Sequence, residues 1–150
     1  MAVTDLSIFE DFGSCEGFVY DLSDKNWREY LGSEFNAPMI IPRIAEEPIE
    51  KIGILKALYV EEERRGHGHG KRLLEQMQQA FDNEGVDTYI LVADKEEDNE
   101  IDLVEWYQQY GFETVRDKKY CAVMIFGSED LIDDCREITG YVPDDAYTMA

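Results

Sequence analysis

The chain has 150 residues and a mass of 17.4 kDa, the size of one ordinary domain, and 44% of its residues are hydrophobic, which excludes a disordered or low-complexity protein. Its 34 Asp and Glu against 14 Lys and Arg give a net charge of −20, which repels the nucleic-acid backbone and anionic membranes. We therefore expect a single domain over residues 1–150 that binds neither nucleic acid nor membrane.

The N-terminal segment lacks the marks of a secretory signal. It has no positively charged start and no apolar run of sufficient length, and nothing later approaches the ~20 apolar residues of a membrane span.

The three cysteines, Cys15, Cys121 and Cys135, are odd in number and widely spaced, which favours free thiols over disulfides or zinc ligands. These features predict a cytoplasmic protein.

The first 50 residues carry weak structural signals. Residues 7–12 and 17–22 are expected to be strands, and residues 27–31 a short helix. Three prolines, Pro38, Pro42 and Pro48, interrupt the rest and favour a loop.

Strand and helix alternate through the middle of the chain. Residues 52–60 form an apolar run rich in β-formers, which ends at an acidic stretch and a glycine turn. From Gly70 onward apolar residues recur at helical spacing until residues 83–85, where Gly85 can serve as a left-handed cap.

The alternation continues towards the C-terminus. We expect a buried strand over 88–93, a charged loop over 94–99 and a helix that carries Tyr107 and ends at Gly111. Two short strands near 112–116 and 119–126 follow, then a helix over 129–138 capped by Ser128 and an exposed tail over 140–150. This order predicts an α/β fold layered on one sheet.

Positive charge is concentrated around the glycine turn. Residues 51–126 carry 10 of the 14 basic residues, and four of these lie within nine residues that include Gly66, Gly68 and Gly70. The four are Arg64, Arg65, Lys71 and Arg72. Alternating glycines before a helix let backbone amides converge on an anion, although glycines also serve plain turns. The run is neither a P-loop ending in Gly-Lys-Ser/Thr nor a GxGxxG dinucleotide fingerprint.

Two segments resemble the GNAT superfamily of N-acetyltransferases. Arg65-Gly66-His67-Gly68-His69-Gly70 follows a strand and fits that family's acetyl-CoA motif, and Trp106–Phe112 fits its aromatic-Tyr segment before Gly-Phe. The resemblance covers roughly residues 52–126. It implies a mixed, mostly antiparallel central sheet with a V-shaped splay between two central parallel strands and helices on both faces. Residues 1–50 would then be a variable N-terminal part, 51–126 the acetyl-CoA-binding core, and 127–150 an acidic helix and tail.

The resemblance also implies roles for individual residues. The amides of Arg65, Gly66, His67, Gly68, His69 and Gly70 would hold the CoA pyrophosphate, with Lys71 nearby, and the pantetheine arm would bind the backbone of Leu58, Tyr59 and Val60. Asn99 resembles a CoA-contacting Asn of the family. Tyr107 resembles the acid that protonates the CoA thiolate, a step that a phenol within hydrogen-bond reach can perform. The spacing of Tyr107 from Leu103 alone favours core packing, whereas the family motif favours the acid.

The histidines and the general base need separate interpretations. His67 and His69 have no third ligand at metal spacing, so we expect no metal site. His69 stands where many relatives carry an aliphatic residue, and a buried histidine there requires a hydrogen-bond partner. No carboxylate lies on residues 52–60, which favours proton removal by water over Asp94 or Glu50.

The resemblance implies direct acetyl transfer from acetyl-CoA to a primary amine. The negative charge predicts a cationic acceptor, either a small amine or a peptide or protein amine, and a monomer or homodimer is expected. Three alternatives stay open: a GNAT-fold domain that binds CoA without catalysis, an acidic interaction or DNA-mimic protein, and a toxin that acetylates charged tRNA. The last would need a basic substrate surface.

Overall fold

The structure is a computed structural model that describes residues 3–95 and 102–143. In chain order the strands are β1 (Val3–Asp5), β2 (Ile8–Glu10), β3 (Gly13–Asp21), β4 (Lys51–Val60), β5 (Tyr89–Asp94), β6 (Glu113–Asp117) and β7 (Cys121–Phe126). The helices are α1 (Asn26–Glu29), α2 (Ile41–Ala45), α3 (His69–Asn83), α4 (Leu103–Gln108) and α5 (Glu129–Thr139). None of these helices is long and apolar enough to cross a membrane.

The predicted fold class is confirmed. The chain is mixed α/β, with a seven-stranded, mostly antiparallel sheet among its described residues. The described residues form two compact units, one of residues 3–27 and 49–89 and the other of residues 28–48, 90–95 and 102–143. The expectation of a single domain over residues 1–150 stays a prediction.

The first unit is built on β3. Along one edge of this strand, β1 and β2 pair antiparallel in a continuous register, with Asp5 opposite Phe18 and Ile8 opposite Cys15. Along the other edge β4 pairs antiparallel, but the register shifts so that Lys56 is an extra residue on β4. The shift is a β-bulge, which bends the strand and changes which of its later residues share a face.

Helix α3 packs on one face of β3 and β4 through the buried Leu73, Leu74, Met77 and Phe81. A Cβ atom on Gly53 would lie 2.9 Å from the Phe81 ring, so the glycine permits this close approach. The helix ends as the sequence predicts, with Gly85 at a φ of 74°.

The second unit joins β5, β7 and β6 in that order, and α5 lies along β6. Arg136 Nε donates to the Thr114 carbonyl and Thr139 Oγ1 to the Val115 carbonyl. These bonds occupy carbonyls of an edge strand that would otherwise be open to another chain. Ser128 caps α5 as expected, since its hydroxyl accepts from the Leu131 amide 3.2 Å away.

The loop predicted around Pro38 and Pro42 is wrong. A 3₁₀ turn over Pro38–Ile40 leads directly into α2, and each proline stands in the first positions of its turn or helix. Those positions have no intrahelical acceptor for an amide proton, so proline costs nothing there. The short helix expected over 27–31 begins one residue earlier and continues as a π-helical turn over Tyr30–Glu34.

Thr114 offers a test of the packing in the second unit. Its side chain is 1% exposed, and its hydroxyl has no hydrogen-bond partner among the described residues. Thr114→Val should therefore raise the free energy of unfolding by about 1 kcal/mol, because it removes an unsatisfied hydroxyl at nearly constant shape. Chemical denaturation measures the change.

Thr139→Val is the matched control, because the Thr139 hydroxyl donates to the Val115 carbonyl. This variant should lose about 1 kcal/mol. Equal destabilisation by both substitutions would contradict the assignment of Thr114 as unsatisfied.

Candidate functional site

The glycine loop between β4 and α3 has the backbone conformation that its sequence predicts. Gly66 and Gly68 have φ angles of 85° and 79°, in the left-handed region that glycine adopts without strain. Around both, a Cβ atom would meet nothing within 4 Å, so the space in front of the loop is open. Helix α3 begins immediately after, at His69.

The amides of the loop are available to an anion. Within the described part of the chain, the amides of residues 66–71 donate no hydrogen bond, and the first bond of the helix runs from the Arg72 amide to the Gly68 carbonyl at 3.1 Å. The first amides of a helix always lack intrahelical partners and carry the positive end of its dipole. Six consecutive free amides before and within the first turn of a helix are the kind of donor set that phosphate-like anions require.

The side chains around the loop add positive charge. Arg64, Arg65, Lys71 and Arg72 are all exposed, and none forms an ion pair with another described residue. Arg65 is held in place, because its Nε donates to the Val60 carbonyl at 2.9 Å and its guanidinium lies 5.9 Å from the centre of the Tyr59 ring. A chain with a net charge of −20 therefore presents unpaired cations at this loop.

His69 is held by stacking instead of by the expected hydrogen bond. Its ring lies on Phe12, with centroids 4.0 Å apart and planes 18° apart. Its Nδ1 is buried and has no hydrogen-bond partner among the described residues. Burial, followed by the positive charges of Arg72, His67 and Arg64, lowers the pKa of His69, which favours the neutral ring. The contact with Phe12 is not predictable from the sequence, where the only signal at Phe12 is its place just before the Gly13 turn.

The end of β4 brings the predicted pantetheine-binding residues next to the loop. Leu58 and Val60 pair with Cys15 and Gly13, and Tyr59 pairs with Ser14. The Tyr59 side chain is 53% exposed, on the face of the strand opposite that of its two neighbours. Leu58, Tyr59 and Val60 therefore lie in the same unit as all the loop residues.

Tyr107 belongs to the second unit, on α4. Its side chain is 6% exposed, and its ring makes edge contacts with Trp106 at 5.1 Å and with Phe112 at 5.5 Å between centroids. Asp102 caps the helix by accepting from the Glu105 amide. The aromatic packing fixes the ring, which suits a residue that must hold a hydroxyl in one place.

Residues 37–114 match the family described as the acetyltransferase (GNAT) domain, and this match covers more than half of the chain. The chain belongs to the GNAT acetyltransferase family. No curated protein matches this GNAT chain significantly.

Solved structures share the fold at low sequence identity. The PaiA N-acetyltransferase from Thermoplasma acidophilum in complex with coenzyme A is 14% identical with a TM-score of 0.53, over 85% of this chain and 62% of that one. Arabidopsis thaliana Naa50, in complex with a bisubstrate analogue, is 15% identical with a TM-score of 0.50 over 76% and 64%. The polyamine N-acetyltransferase of Drosophila melanogaster is 11% identical with a TM-score of 0.53 over 79% and 70%. The GNAT chain thus spans somewhat less than two thirds of the first two proteins.

The other predicted site residues are the CoA-contacting Asn99 and the two alternative bases, Glu50 and Asp94. Asn99 lies outside the described residues. Glu50 immediately precedes β4, at the far end of the strand from the glycine loop and roughly 30 Å away along it. Asp94 is the exposed last residue of β5.

Two of the three cysteines are poorly suited to act as nucleophiles, and no metal cluster is evident in residues 3–95 and 102–143. Burial raises the pKa of Cys15 to about 12 and that of Cys135 to about 11, so neither thiol ionises readily. No group of three or more His, Cys, Asp or Glu side chains is placed to hold a metal ion in those ranges.

Proposed function

We propose that this GNAT domain is an acetyl-CoA-dependent N-acetyltransferase. The observation that carries the proposal is the glycine loop, which offers six free amides and four basic side chains without ion pairs, in a chain that belongs to a family of acetyltransferases. The pyrophosphate and nearby phosphate of CoA supply the negative charge that this loop is built to hold. The PaiA enzyme of similar fold is itself described in complex with coenzyme A.

The proposed chemistry is a direct transfer in a ternary complex. A neutral amine nitrogen attacks the thioester carbonyl, a C–N bond forms, and the C–S bond breaks as the tetrahedral intermediate collapses. Tyr107 gives its proton to the departing thiolate, and water carries away the proton of the amine. The raised pKa values of Cys15 and Cys135 disfavour an acetyl-cysteine intermediate at either thiol, which supports direct transfer from acetyl-CoA to the amine.

The proposed acceptor is a cationic primary amine. With basic residues gathered around the glycine loop, the 34 acidic residues leave the rest of the surface strongly negative. Proteins of similar fold include one named for polyamine acetylation and one bound to an analogue that joins CoA to an acetylated peptide. Both acceptor types fit the proposal, a small amine and a peptide amine.

A thiol-release assay tests the activity. Acetyl-CoA is offered with diamines, polyamines, aminosugars and peptides with a free N-terminus or a lysine, and release of CoA is followed. Acceptor-dependent release supports the proposal. Binding of acetyl-CoA without release from any acceptor would favour the non-catalytic CoA-binding domain. Absence of acetyl-CoA binding by calorimetry would favour an acidic interaction protein.

Salt should weaken the reaction with the true acceptor. We expect kcat/KM for a cationic acceptor to fall as ionic strength rises from a few millimolar to physiological, where the Debye length shortens to ~8 Å. The assay is run at saturating acetyl-CoA, so that weaker donor binding in salt does not contribute. A neutral or anionic acceptor with salt-independent kinetics would contradict the cationic class.

A further inference from the structure

The face of the first unit that is turned away from α3 carries acids and aromatic rings together. Paired residues of neighbouring strands project to the same face of a sheet, and so do alternate residues of one strand. Gly17 marks the α3 face, since a Cβ there would touch the Met77 side chain. Ser14, Glu16 and Phe18 therefore project from the other face.

The pairing extends this face to both neighbouring strands. Phe9 and Tyr59 both pair with Ser14, from opposite sides, and Asp5 pairs with Phe18. We call the resulting surface the acidic aromatic face. It consists of Asp5, Phe9, Glu16, Phe18 and Tyr59.

Glu16 lies at the centre of the acidic aromatic face. Its side chain is half-buried and makes no hydrogen bond or ion pair with another described residue. The residue opposite it on β4 is Ala57, so the carboxylate has a small neighbour beside the β-bulge. The Glu16 carboxylate is therefore not committed to a partner among the described residues.

The surrounding groups favour a cation as a ligand for Glu16. Phe9 is 73% exposed and Tyr59 is 53% exposed, so both rings present aromatic surface on the same face as the acids. Hydrogen bonds from Ser7 lower the pKa of Asp5, so this second carboxylate is ionised at neutral pH. Aromatic faces and carboxylates together attract ammonium groups through cation–π and charge interactions.

The acidic aromatic face borders the glycine loop. Tyr59 belongs to the face, and the Arg65 guanidinium of the loop lies over its ring. The basic glycine loop and the acidic aromatic face thus adjoin within the same unit, the arrangement expected of an enzyme that joins an anionic donor to a cationic acceptor.

We propose that the acidic aromatic face binds an alkylammonium group of the acceptor, with Glu16 as the residue that selects for its positive charge. The inference rests on the proposed acetyl transfer and names the acceptor's binding surface. Glu16 pairs with a charge on the acceptor and positions it, while the reacting amine is the one presented to acetyl-CoA. The acceptor therefore carries at least two amines, or an amine and a second cationic group.

The test uses the full chain and the diamine 1,5-diaminopentane as a probe. Isothermal calorimetry at low salt should show that Glu16→Gln weakens binding of the diamine about 10-fold. Phe9→Ala should weaken it several-fold, and the exposed position of this side chain means that the substitution should leave the fold intact. The control is Glu10→Gln, which removes the same charge from the same hairpin. Glu10 pairs with Gly13 and so projects to the other face of the sheet, and its variant should bind within about 2-fold of the parent.

The outcomes separate this inference from the proposed function. With a transferred acetyl group as readout, Glu16→Gln should raise KM for diamines and leave both kcat and acetyl-CoA affinity unchanged. Equal losses in the Glu16 and Glu10 variants, or none in either, would overturn the inference even if the protein is an active acetyltransferase. If no amine releases thiol from acetyl-CoA, the proposed function fails, while diamine binding that depends on Glu16 would still establish the cation site.

Discussion

Replacing Gly68 by Asp is expected to weaken acetyl-CoA binding by at least ~2 kcal/mol, about 30-fold, without unfolding the protein. The residue stands directly before α3, and its missing side chain leaves the space in front of the loop open. An aspartate there would bring a carboxylate close to the free amides of the first helical turn, where negative charge is favoured. The same carboxylate would then occupy the anion site with a competing negative charge.

Two variants separate this effect from strain. Gly68→Asn has nearly the same shape without the charge and should lose much less affinity. Gly85 has a φ of 74° and open surroundings at the opposite end of α3, so Gly85→Asp imposes a similar backbone strain far from the loop. Calorimetry with acetyl-CoA measures all three. If Gly68→Asp binds like the parent, CoA is held elsewhere on the molecule.

The elements around the glycine loop could be predicted from the sequence because several local signals agree there. The apolar run over 52–60 corresponds to β4, and the helical spacing from Gly70 corresponds to α3 within one residue at its start. A glycine flanks each end of this helix, because the backbone at Gly68 and Gly85 has a positive φ that glycine adopts without strain. Where the hydrophobic periodicity and the turn residues agree, the nearby sequence alone determines both the type of an element and where it ends.

Other features depend on pairing that no local signal encodes. The N-terminal strands were expected over 7–12 and 17–22, but they form as β1, β2 and β3 because residues 3–10 pair with β3 in one register. The bulge at Lys56 changes the face on which Tyr59 projects, so the neighbourhood of Glu16 and Tyr59 follows only from the observed register. The contact between Phe12 and His69 likewise joins residues 57 positions apart in sequence.

Replacing Tyr107 by Phe is expected to lower kcat by ~10²-fold or more, if this residue protonates the CoA thiolate. Phenylalanine keeps the ring and its edge contacts with Trp106 and Phe112, so the thermal midpoint should change little. The substitution removes only the hydroxyl, and acetyl-CoA affinity should therefore be preserved. Single-turnover measurements of thiol release, beside a melting curve and a calorimetric titration, provide the three readouts.

Tyr110→Phe is the matched control for this experiment. Tyr110 follows α4 by two residues and packs on the same Trp106 ring, with centroids 4.9 Å apart, so its variant removes a hydroxyl from the same aromatic cluster. Loss of turnover in the Tyr107 variant alone would assign the proton to that hydroxyl, because packing is conserved in both. Equal turnover in the two variants and the parent would make Tyr107 a packing residue, and protonation of the thiolate would then fall to water.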